Sequence, residues 1–93
     1  IKVIFTPGHT PGHQSVLVNL PKTGHMLFTG DACYTGDHWC DKCLPGLVAS
    51  SSDAAESVKK LRRVAKEHNA KVVWGHDPVS WQDWKKAPMF YYD

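Results

Sequence analysis

The sequence predicts an α/β domain. Three observations carry that reading. Short runs of β-branched and aromatic residues are bounded by Pro and Gly, one longer stretch has helical hydrophobic spacing, and the order is strand, hairpin, helix, strand. At 93 residues the chain allows one domain at most, with a thin core. With 42% hydrophobic and 22% charged residues it is neither disordered nor fibrous.

The elements follow in chain order. Lys2-Val3-Ile4-Phe5 reads as a strand that Pro7 stops. Residues 6–13, TPGHTPGH, write one tetrad twice, and the Pro-Gly pairs make this a tight loop although His9 and His13 are four apart. Residues 15–20 and 25–29 predict a hairpin across the turn Pro21-Lys22-Thr23-Gly24. Residues 32–50 have no period and predict a loop. Asp53-Ala54-Ala55-Glu56 has the spacing of an N-terminal capping box. Val58, Leu61, Val64 and Ala65 then line one face of a helix that ends near His68, with Asn69 as a left-handed cap. Lys71 to Trp74 reads as a strand stopped by Gly75, with Trp74 packed in the core. Residues 79–86 predict a short helix that Pro88 breaks.

Eleven Lys and Arg against nine Asp and Glu leave a formal charge of +2, which provides no electrostatic case for nucleic acid or a membrane surface. No apolar run approaches the ~18 residues that cross a bilayer. Three cysteines are poor material for a disulfide framework, so a reducing, cytoplasmic setting is expected. The opening Ile1, directly before a strand, predicts a piece of a longer protein. The basic run 59–66 reads as a solvated helix face, and His25 and His68 as surface residues.

Three residues share one local setting. His9 lies in the loop after the first strand, Asp31 directly follows Gly30, and His76 directly follows Gly75. In layered α/β proteins, residues just past strand ends gather at one edge of the sheet. Two imidazoles and a carboxylate converging there suit Zn²⁺ or a similar ion, with a position left for water. Isolated His and Asp also cap turns and strand ends, and spacing alone leaves both readings open.

Longer words add to this. TPGHTPGHQS at 6–15, GDACY at 30–34, WGHDP at 74–78 and the tail WQDWKKAPMFYYD at 81–93 resemble, in order and spacing, the metallo-β-lactamase superfamily. They are most similar to its N-acyl homoserine lactonase branch. The resemblance implies that residues 1–93 form a partial domain, the C-terminal half of an αββα sandwich. It implies a metal-dependent hydrolase with two zinc ions, other divalent metals also being compatible, acting on a small-molecule lactone or ester. His9 is then a terminal ligand of one metal, Asp31 the carboxylate bridging both, and His76 a terminal ligand of the second. Tyr34 aims its hydroxyl at the lactone carbonyl, and a metal-bridging hydroxide is the nucleophile. The family motif His-x-His-x-Asp-His, which supplies most other ligands, does not occur in these 93 residues. The chain by itself is therefore expected to bind metal weakly and not to turn over. Two alternatives stand beside this: another hydrolase of the same fold, a thioesterase or esterase, or a non-catalytic truncated module whose open edge at Lys2–Phe5 takes a partner.

Other residues read more plainly. His13 reads as a residue that supports the ligands from behind or as a structural one, rather than as a ligand itself. Asp77 either orients a ligand imidazole or caps the turn before Pro78. Cys33 is an ordinary thiol. Cys40-Asp41-Lys42-Cys43 reads as reduced thiols, with an accessory zinc site formed with Cys33 and His38 as the alternative. Trp81, Trp84, Phe90, Tyr91 and Tyr92 read as packing against the sheet; the functional alternatives are a substrate-pocket wall or a homodimer surface.

Overall fold

In the computed structural model, which describes residues 1–43 and 46–89, four strands make one sheet in the order β1-β2-β3-β4. These are β1 (Lys2–Phe5), β2 (Gln14–Leu20), β3 (Gly24–Gly30) and β4 (Lys71–Trp74). β1 and β2 pair antiparallel, as do β2 and β3, while β4 runs parallel to β3. A parallel neighbour needs a crossover, and α2 (Ser51–His68) supplies it.

The hairpin forms where turn chemistry predicts it. Val16, Leu17 and Val18 stand opposite Phe28, Leu27 and Met26, and Gly24 takes φ +89° at the turn. Strand alternation puts Ile4, Leu17 and Leu27 on one face, where they meet Leu61 of α2 and Ala32. Leu27 and Leu61 are fully buried, and Val64 and Ala65 extend the same helix face. Val3, Phe5 and Phe28 remain 58%, 53% and 40% exposed. β1 is an edge strand, as expected.

Several boundaries differ from expectation. The N-cap of α2 is Ser50, whose hydroxyl accepts from the Asp53 amide at 3.3 Å. The cap falls ahead of Asp53 because Ser50 is held extended, its own amide donating to the Gly8 carbonyl at 3.0 Å. That bond occupies the donor a reciprocal capping box would use. The C-terminal end is as predicted, with Asn69 in the left-handed region at φ 48°.

The 32–50 segment is not all loop: α1 (Gly36–Trp39) is a single turn, too short to show a period. α3 (Pro78–Trp81) is shorter than the 79–86 prediction. Asp77 caps it with Pro78 in its first turn. Beyond Trp81 the amides of Asp83 and Trp84 return to Ser80 and Trp81, so the chain turns instead of extending the helix. Trp74 is half-buried at the sheet's end, against Trp39 at 6.3 Å between ring centroids, instead of in the core cluster. His25 and His68 are half-buried and touch each other. Among the described residues, no helix is long and apolar enough to cross a membrane.

Candidate metal centre

Three chain segments end at one edge of the sheet. The TPGH loop follows β1, the Asp31 turn follows β3, and Gly75-His76 follows β4.

The first segment is shaped by Gly8. Its φ of +143° is essentially glycine territory, and a Cβ there would overlap the backbone of Ala54 in α2. This close approach lets the Gly8 carbonyl accept the amides of Ala49 and Ser50, at 2.8 and 3.0 Å. The loop at 47–50 is thereby tied beside His9. His9 Nδ1 lies 3.1 Å from the Leu47 carbonyl and 3.2 Å from Tyr34 Oη. A carbonyl only accepts, so Nδ1 carries the proton and Nε2 presents its lone pair. That lone pair faces Asp31 Oδ2 at 3.4 Å.

His76 arrives by backbone pairing. The Gly75 amide donates to the Cys33 carbonyl at 3.1 Å, and the His76 amide to the Tyr34 carbonyl at 2.9 Å. A side chain at position 75 would collide with the Gly30 carbonyl, so glycine permits this approach. His76 Nε2 then lies 2.7 Å from Asp31 Oδ1. The two carboxylate oxygens of Asp31 thus face two different imidazoles.

Asp31 is held from behind. Its amide donates to His13 Nε2 at 3.0 Å, which assigns the neutral ring's proton to Nδ1. From there a chain of hydrogen bonds runs inward: His13 Nδ1 to Thr6 Oγ1 at 2.9 Å, Thr6 to Ser15 Oγ at 2.9 Å, and Ser15 to the Thr29 carbonyl at 2.9 Å. Thr29 donates in turn to the Cys33 carbonyl at 2.8 Å. Thr6, Ser15 and Thr29 are fully buried or nearly so. Both ring nitrogens of His13 are thus engaged, one on Thr6 and the other on the Asp31 turn.

Asp77 does not touch a ligand imidazole. Oδ1 accepts the Val79 amide at 3.0 Å and Oδ2 the Gly36 amide at 3.1 Å, so one carboxylate caps α3 and fastens α1. Tyr34 stands between His9 and His76, 6.0 and 4.9 Å away between ring centroids. Its amide donates to His38 Nδ1 at 3.2 Å. Trp81 and Trp84 line a cavity of about 310 Å³ beside His76, together with Trp74 and Pro78. They also cover part of the sheet face, over Val18, Phe28 and Val73. Trp81 is 58% exposed, so it does not pack fully against the sheet. Phe90, Tyr91 and Tyr92 lie outside the described residues.

The donor set fits zinc-like ions. A histidine lone pair and a carboxylate oxygen 3.4 Å apart are two acceptors facing each other, and a cation between them satisfies both. The Leu47 carbonyl behind His9 is the kind of partner that fixes a ligating imidazole. Among the described residues, no three His, Cys, Asp or Glu close around a single point.

The cysteines form no second centre among the described residues. Burial pushes the Cys33 thiol up to about 12, and His38 spends Nδ1 on the Tyr34 amide. Cys40 and Cys43 are exposed and free. Iodoacetamide is expected to alkylate Cys40 and Cys43 in the native protein and Cys33 only after denaturation. Mass mapping of the labelled peptides checks this, and native labelling at Cys33 would refute it.

Burial also holds His38 below the usual histidine value, with Arg62 adding to the effect and Asp41 opposing it. The folded state therefore favours the neutral ring more than the unfolded chain does. This stability is present above the unfolded value, near 6.5, and is lost as pH falls through the lower folded value. Denaturation midpoints are expected to drop as pH falls from about 6.5, and less steeply in His38→Gln. Parallel pH profiles for the two proteins would exclude His38 as the cause.

The chain is similar to known proteins in sequence and in fold. The family model of the metallo-beta-lactamase superfamily matches residues 1–76. N-acyl homoserine lactonase AttM of Rhizobium radiobacter is 57% identical over 91 residues, covering 98% of this chain and 35% of that protein. An N-acyl homoserine lactonase of Bacillus cereus is 39% identical over 77 residues, covering 83% of this chain and 30% of that protein. Among solved structures, an N-acyl homoserine lactone hydrolase with N-hexanoyl-L-homoserine bound at its catalytic metal center matches with a TM-score of 0.88. Its identity is 31%, over 96% of this chain and 35% of that one. The chain thus spans about a third of the length of the relatives it matches.

Proposed function

The chain belongs to the metallo-beta-lactamase superfamily, and on that premise we propose that it forms the C-terminal part of a metal-dependent lactonase that opens N-acyl homoserine lactones. The observation that carries this reading is the meeting of His9 Nε2 and His76 Nε2 on the two oxygens of Asp31. In this reading His9, His76 and Asp31 are the residues of this chain that would hold the metal. Zinc, when bound, supplies Lewis acidity and water activated near neutral pH. His-x-His-x-Asp-His, absent from these residues, completes the ligand sets from the rest of the domain.

The chain's own residues divide the remaining work. Asp31 keeps the two imidazoles at its two carboxylate oxygens, 3.4 and 2.7 Å away. The Leu47 carbonyl keeps the His9 proton on Nδ1, away from the ligating nitrogen. Because Nδ1–H donates, Tyr34 Oη accepts from it at 3.2 Å and keeps its own proton. Tyr34 can then donate that proton's hydrogen bond to a lactone carbonyl as charge develops on its oxygen, a contribution of about 10²–10³-fold for comparable donors. Trp81 and Trp84 form an apolar wall next to His76 for the remainder of the substrate.

The test is a pH-stat assay of ring opening, with zinc present, on the full-length protein that carries this chain. Turnover should fall by about 10²-fold in Tyr34→Phe with bound zinc unchanged. The isolated 93-residue chain should show none. Undiminished lactone turnover in Tyr34→Phe would remove the lactonase-specific role, and activity of the purified chain alone would refute the divided site.

A further inference from the structure

We propose that His25 and His68 form a second metal site, at the opposite end of α2 from the TPGH loop, which takes one divalent transition-metal ion of the imidazole-preferring class. The two rings lie 4.7 Å apart between centroids, with their planes tilted by 40°. Imidazoles that ligate one ion through nitrogens about 2.0–2.1 Å away, at ligand angles of about 90–110°, have centroids roughly 4.5–5.2 Å apart. The pair already has that separation.

The surroundings favour a cation. His68 is the last residue of the 18-residue α2, where unpaired carbonyls give the helix end a partial negative charge. His25 is the second residue of β3 and stands directly opposite Asn19 of β2. Cross-strand partners share a face, so the Asn19 side-chain carbonyl is a candidate third donor next to the imidazoles. Neither ring has a hydrogen bond to any described residue, so their nitrogens are not already committed, as those of His9, His13 and His38 are. Both rings are half-buried, which limits the freedom lost on binding. Imidazole donors suit Zn²⁺, Ni²⁺ and Cu²⁺, and water completes the coordination. An ion here would clasp the start of β3 to the end of α2.

Ni²⁺ titration tests this on the protein carrying Asp31→Ala, which weakens competition from the first centre. One Ni²⁺ is expected to bind, and either His25→Ala or His68→Ala should weaken it by more than ~10-fold, since even outer partners of a metal cost that much. Equal Ni²⁺ binding in all three proteins would overturn the assignment. A second reading needs no further variant. Paramagnetic Ni²⁺ should broaden the ring-proton signals of His25 and His68 at lower concentrations than those of the other histidines. Broadening that starts at any other histidine would equally refute the site.

Discussion

Asp31→Ala is expected to lower metal affinity by more than ~100-fold and to abolish lactone turnover in the protein that carries this chain. Loss of an outer partner alone costs about 10–100-fold, and Asp31 is the group that both imidazoles face, at 3.4 and 2.7 Å. The backbone of the turn should survive. His13 holds the Asp31 amide, not its side chain, and that bond remains in the variant. Metal content after dialysis, read beside the circular dichroism spectrum, separates the two effects. Wild-type metal content in a folded Asp31→Ala protein would show that Asp31 is not a ligand. Asp77→Ala is the matched control. It removes a carboxylate one residue from His76 but deprives only the Gly36 and Val79 amides of their acceptor.

Leu61→Ala is expected to cost about 2–5 kcal/mol of stability. Leu61 is fully buried and joins α2 to Ile4, Leu17 and Leu27 of the sheet. A chain of this size has of the order of 5–14 kcal/mol in total, so one truncated side chain removes a large share. The effect reaches the site through Gly8, which rests on α2 at Ala54 and whose carbonyl ties down the loop beside His9. Urea denaturation gives the number. A midpoint shift worth less than about 1 kcal/mol would mean that α2 is not fastened where the packing places it.

The elements were legible because their signals are local. Pro7, Pro21 and Gly24 punctuate the strands, and Val58, Leu61 and Val64 repeat at helical spacing. Boundaries failed where a distant group decided them. Ser50 became the α2 cap because Gly8 holds its amide, and α1 forms between the Thr35 cap and the Asp77 carboxylate. Gly8 and Asp77 are both distant in sequence from the helices they fix, and no local pattern reports such a bond.

The same division runs through the site. His9, Asp31, His76 and Tyr34 could be named from sequence because strand ends and familiar words mark them. Leu47 could not, since a backbone carbonyl has no residue-type signal, yet it directs the His9 proton. The hydroxyls of Thr6 and Ser15 flank the TPGH words, but only folding joins them to Thr29 behind Asp31. Which residue types stand at the ends of which strands is a local property, because periodicity and turn chemistry act over a few neighbours. Tertiary structure alone decided that a β3 turn and a β4 turn 45 residues apart share one carboxylate–imidazole contact. That meeting depends on parallel β3–β4 pairing and on a glycine that lets two backbones touch, and both are properties of packing across the sheet.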